Sequence, residues 1–81
     1  MRIESVDWDD ANLEHATRHG VSAYEIDQAI NNAYRIARNK RGRSATHLLH
    51  GATYGGRLIT IAIAYDGTAK SVRPITAWEE R

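Results

Sequence analysis

Apolar and polar positions change their period several times along this chain, and each change marks an element. Residues 2–8 set Ile3, Val6 and Trp8 among charged neighbours, which predicts a short first strand. Asp9 or Asp10 can then cap a helix by accepting from its free N–H groups, and that helix should run to about His19. Gly20 suits the left-handed position that ends it. Ser22-Ala-Tyr-Glu25 reads as a capping box, with Val21 and Ile26 as the accompanying hydrophobic staple. Ile26, Ala29, Ile30 and Ala33 follow helical spacing, so residues 22–33 should form a second helix.

After Asn31-Asn32 the period falls to two. Strands are expected at 34–38, 46–54, 57–65 and 71–78, with a polar loop at 39–44. Gly55-Gly56 predicts a two-residue hairpin, and Asp66-Gly67 a further tight turn. Pro74 has no N–H for a ladder, so the last strand should lie near an edge or turn that side outward. The expected class is α+β: two N-terminal helices on one face of an antiparallel sheet, in the order β-α-α-β-β-β-β. On the strand 57–65, Arg57, Ile59, Ile61, Ile63 and Tyr65 share one face, while Leu58, Thr60, Ala62 and Ala64 share the other. Parity alone leaves open which of the two meets the helices.

Composition sharpens this picture. At 81 residues the chain is one domain with a small core, and association with a partner or a second copy would add to its stability. It has no cysteine, hence no disulfide or thiolate site. Its longest apolar stretch, residues 58–65, is far too short to cross a bilayer, and residues 1–10 lack the pattern of a leader, so a cytoplasmic location is expected.

Charge is sorted by position. Residues 1–31 carry seven acids against Arg2 and Arg18, a net −5, whereas residues 32–76 carry eight bases against Asp66 alone, a net +7. A basic segment of this kind attracts polyanions, because each neutralised phosphate releases counterions. Arg35, Arg38, Lys40, Arg41 and Arg43 form a cluster beside Tyr34 that can bind a phosphate backbone without reading bases. Solvation of one side of the domain is the competing explanation. His15 and His19 are four apart, but a third ligand is missing and Arg18 disfavours a cation, so no metal site is expected. His47 and His50, three apart on a strand, should point to opposite faces. Arg57 and Arg73 lie on strands, where a planar guanidinium can clamp phosphate, and Arg57 beside its glycine turn is expected to remain exposed.

Three segments together resemble the BrnT family of type II toxins, within the RelE/ParE-like ribonuclease fold. They are Val6-Asp7-Trp8-Asp9 with Asn12 and His19-Gly20-Val21-Ser22 plus Glu25; Gly55-Gly56-Arg57-Leu58; and Val72-Arg73-Pro74-Ile75-Thr76-Ala77. The resemblance implies a metal- and cofactor-independent endoribonuclease, held inactive by a cognate antitoxin. It carries Arg57 and Arg73 over as phosphate clamps and Tyr65 as a functional polar residue at the far end of its strand. RNA contacts would come from Arg35, Arg38, Lys40, Arg41, Arg43 and, by stacking on a base, Trp78. The family has an arginine where this chain has Trp78, and it continues into a C-terminal helix. The alternative is therefore a catalytically weak or inactive binding module that acts only in complex with an antitoxin and its operator DNA.

Overall fold

Residues 58–66 run through the middle of the molecule. The computed structural model describes residues 1–80 and shows, in chain order, β1 (Ser5–Val6), α1 (Asp10–Ala16), α2 (Ala23–Asn31), β2 (Ala33–Arg38), β3 (His47–Ala52), β4 (Leu58–Asp66) and β5 (Ser71–Glu79). They make one five-stranded sheet in the order β1-β5-β4-β3-β2. The element order is the expected one, but the sheet is mixed. β1 pairs with β5 in parallel through Ser5–Ser71 and Val6–Val72, while the other three pairings are antiparallel. Alternation reports which residues share a face and carries no information on strand direction, so the parallel pair was invisible in the pattern.

Both predicted helix starts form. Ser22 Oγ accepts the Glu25 N–H at 3.1 Å and Glu25 Oε1 accepts the Ser22 N–H at 3.1 Å, a reciprocal capping box. Asp9 and Asn12 make the same exchange ahead of α1. That helix closes at Ala16 rather than His19, with Thr17 already outside helical geometry and Gly20 at φ +83°. Asn32 caps α2, so Ala33 belongs to β2 instead of the helix. The turn after β3 is also longer than predicted. Thr53 and Arg57 face each other around Tyr54-Gly55-Gly56; the Gly56 N–H donates to the Thr53 carbonyl, and Gly56 takes φ +89°. This is a three-residue hairpin in which a left-handed glycine restores register.

Parity is resolved by packing. Ile59, Ile61 and Ile63 are fully buried with Leu49, Val72 and Ala77 beneath Ala16, Ile26, Ala29 and Ile30 of the two helices. Val21 and Ile26, the expected staple pair, both belong to this core. The approach of α2 to β3 depends on Gly51, where a Cβ would lie 1.8 Å from the Ala29 carbonyl oxygen. Among the described residues, the opposite face of the sheet carries no helix.

α1 covers the outer edge of β5 beyond the end of β1. Asn12 Nδ2 donates to the Pro74 carbonyl at 3.1 Å and His15 Nδ1 donates to the Ile75 carbonyl at 2.6 Å. Register slips here, Ala62 facing Thr76 and Ile63 facing Pro74, so Ile75 is an extra residue. Pro74, fully buried, thus sits at a bulge on a strand edge that α1 covers in place of another strand, where no ladder donor is required. Among the described residues, no helix is long and apolar enough to cross a membrane.

Candidate nucleic-acid interface

The arginines singled out as candidate site residues separate into two populations. Arg57 is held between carboxylates. Its Nη1 donates to Glu25 Oε2 at 2.7 Å, and its Nε and Nη2 both donate to Glu79 Oε1, at 3.2 and 3.0 Å. Glu25 thereby serves both the capping box and an ion pair, and Arg57 first, then the Ser22 N–H, holds its carboxyl below the ordinary glutamate value. Arg73 is engaged in the same way: its Nη1 and Nη2 donate to the two oxygens of Asp9, at 2.7 and 3.2 Å. That fork, helped by the Asn12 N–H, lowers the Asp9 pKa to about 2.

Tyr65 stands apart from both guanidinium groups. It lies at the opposite end of β4 from Arg57, about 25 Å away at roughly 3.3 Å per residue. Its hydroxyl donates to the Arg2 carbonyl at 2.8 Å. Arg73, paired with Ala64, projects to the face opposite its neighbour Val72 and hence opposite Tyr65. Arg57, Arg73 and Tyr65 are therefore not brought together at one point, and each has a partner within the fold.

The second population has no carboxylate partner among the described residues. Arg35 and Arg38 lie on β2, the edge strand, and Lys40, Arg41 and Arg43 on the loop that follows, all exposed. The loop is tied at its base, where the Asn39 N–H donates to the Thr46 carbonyl at 2.8 Å and Asn39 Nδ2 to the Ala45 carbonyl at 3.1 Å. Gly42 takes φ +80° near its tip. These five cations line the outer edge of the sheet as a ridge, Arg35 turned to the face without helices and Arg38, beside His47, to the other. A shallow pocket of about 450 Å³ opens beside it, lined by Tyr34, Arg35, Arg38 and His47 among others. His47 points to the helix-covered face and meets Tyr65 edge-on at 6.0 Å; burial, then the charge of Arg38, lowers its pKa.

His50 points the other way, and around it lies a cluster that spacing did not reveal. Cross-strand pairing sets Arg35 beside His50, His50 beside Thr60, and Thr60 beside Trp78, a row spanning β2, β3, β4 and β5 on the open face. Glu80 reaches back over this row. Its Oε1 accepts from His50 Nδ1 and, at 2.7 Å, from the Thr60 hydroxyl, while its Oε2 accepts from the Tyr34 hydroxyl at 3.2 Å. The Thr60 hydroxyl first, and then the His50 ring, hold the Glu80 carboxyl below its usual range. Desolvation, reinforced by Glu80, raises the Tyr34 phenol. Trp78 is 39% exposed at the far end of the row. Thirty residues and an intervening strand separate His50 from Glu80, so only folding joins them. The one sequence signal was the parity that set His50 opposite His47.

Among the described residues no cluster of His, Asp or Glu is arranged to hold a metal ion. Comparison with protein-family models, curated proteins and solved structures finds no match to this chain.

Proposed function

We propose that this chain is an RNA-binding toxin of the BrnT type, with a RelE-like ribonuclease fold, that cleaves RNA without a metal and is neutralised by a cognate antitoxin. The observation that carries the reading is the unpaired cationic ridge of Arg35, Arg38, Lys40, Arg41 and Arg43, set against the ion-paired Arg57 and Arg73. Charges already neutralised by the protein release few counterions on binding; free ones release them in full. Arg35 continues the ridge onto the open face, where Trp78 offers an aromatic surface to an unstacked base. The resemblance in sequence supplies the toxin and antitoxin roles, and cytoplasmic RNA the substrate.

The occupied state of Arg57 and Arg73 favours a second reading. If those two residues were the required phosphate clamps, their ion pairs would have to open before catalysis, and a toxin-like binding module would result. Controlled expression in bacteria, with purified protein incubated against single-stranded RNA, separates the readings. Growth arrest relieved by the adjacent gene, together with RNA cleavage in EDTA, supports the toxin. Stable association with the adjacent gene product, without arrest or cleavage, supports the binding module.

A further inference from the structure

The open face carries four polar side chains whose arrangement the cationic ridge does not explain. His50, Thr60 and Tyr34 all direct hydrogen bonds to Glu80, at a site where the His50 and Glu80 side chains remain 22% and 30% exposed. Ordering four side chains at a site that water still reaches costs entropy that their hydrogen bonds only partly offset. A latch for the end of β5 needs only one such bond, since the Glu80 N–H already donates to the Leu58 carbonyl at 2.8 Å. What the arrangement does provide is a fixed imidazole. With Nδ1 donating to a carboxylate, neutral His50 carries its proton on Nδ1 and presents an unprotonated Nε2, which has no partner among the described residues.

We propose that His50 is the catalytic base of RNA cleavage and that Glu80 is its positioning residue. This rests on the RNA reading above and extends it to the reacting atoms. Nε2 of His50 takes the proton of a ribose 2′-hydroxyl as the 2′-oxygen forms a bond to the adjacent phosphorus. The bond from phosphorus to the 5′-oxygen breaks, and that oxygen takes a proton from water. The products are a 2′,3′-cyclic phosphate and a 5′-hydroxyl, and the imidazolium returns its proton to solvent. Arg35, the cross-strand neighbour of His50, is free to neutralise the non-bridging phosphate oxygens. Trp78, two strands further along the row, is open to stack on a flanking base.

The test uses the full chain, a single-stranded RNA substrate and its 2′-O-methyl analogue, which binds but supplies no nucleophile. His50→Gln should lower kcat by on the order of 10²–10⁴-fold while affinity for the analogue stays unchanged. Glu80→Gln should lower kcat with KM unchanged. The nitrogen chemical shifts of the His50 ring should report a proton on Nδ1 in the wild type and a mixture of tautomers in Glu80→Gln. That spectroscopic readout uses the wild-type protein and so stands even if a variant folds poorly. Cleavage by His50→Gln at the wild-type rate, or a neutral His50 protonated on Nε2, overturns the proposal while leaving the RNA reading intact. A wild-type protein that binds the analogue without cutting RNA also overturns it. One that neither binds nor cuts RNA removes the RNA reading as well.

Discussion

Single residues in this protein carry their effect through the partner that folding gives them. Arg57 has the sequence context of an exposed phosphate clamp, yet Glu25 and Glu79 occupy all of its nitrogens, and it joins the start of α2 to the end of β5. Arg57→Ala should therefore lower the thermal midpoint, and a double-mutant cycle with Glu25→Gln should show the two effects to be coupled rather than additive. Additivity would mean that the pair contributes nothing. Asp9 gives a pH dependence with a definite sign. Its pKa is depressed in the fold from 3.8 to about 2, so the native state binds its proton more weakly than the unfolded chain does. The stabilisation from its pair with Arg73 is complete above about pH 4 and is lost as pH falls toward 2. Asp9→Asn keeps a capping side chain but removes the titration. Acid denaturation followed by circular dichroism should accordingly show a shallower fall in stability for the variant across that interval.

At the scale of elements, the helix starts and the closest helix–sheet approach make separable demands. Ser22→Ala removes the acceptor for the Glu25 N–H and should cost about 0.5–2 kcal/mol in urea denaturation, with RNA affinity of the folded protein unchanged. Gly51→Ala tests a different link. The added methyl would enter the Ala29 carbonyl at 1.8 Å, so α2 must lift from β3. Overpacking of this kind costs about 1–3 kcal/mol, and here the backbone atom in the way leaves no side chain to rotate aside. Denaturation at the wild-type midpoint would show that α2 does not sit on β3 in this way.

Across the whole molecule, the asymmetry of charge becomes an asymmetry of surface. The acids of residues 1–31 are drawn on to fix the basic C-terminal half, as Asp9 holds Arg73 and Glu25 holds Arg57, and five of the cations left without a carboxylate lie on β2 and its loop. RNA affinity should fall steeply with salt, and each cation that no longer meets a phosphate should reduce the slope by roughly 0.7 for a single strand. Replacing Arg41 and Arg43 together by Gln should flatten the slope by about 1.4 units and weaken all sequences alike. An unchanged slope takes this loop out of the RNA interface. If instead the ridge receives an acidic antitoxin, the same double variant shows its altered salt dependence in partner association.

Much of this fold was legible from local rules, because caps, glycine turns and periodicity act over a few residues. The Ser22–Glu25 box, the left-handed Gly20, the order of seven elements and the opposed faces of His47 and His50 all follow from interactions of that range. Local rules do not contain strand direction or the meeting of distant strands. The parallel pairing of β1 with β5, the choice of the Ile59–Ile61–Ile63 face for the core and the ion pairing of Arg57 and Arg73 had to wait for tertiary structure. The same is true of the His50–Glu80 cluster. A side chain's parity is written in its sequence, but the charge that meets it comes from a strand the chain reaches only later, and register alone decides which residue that is.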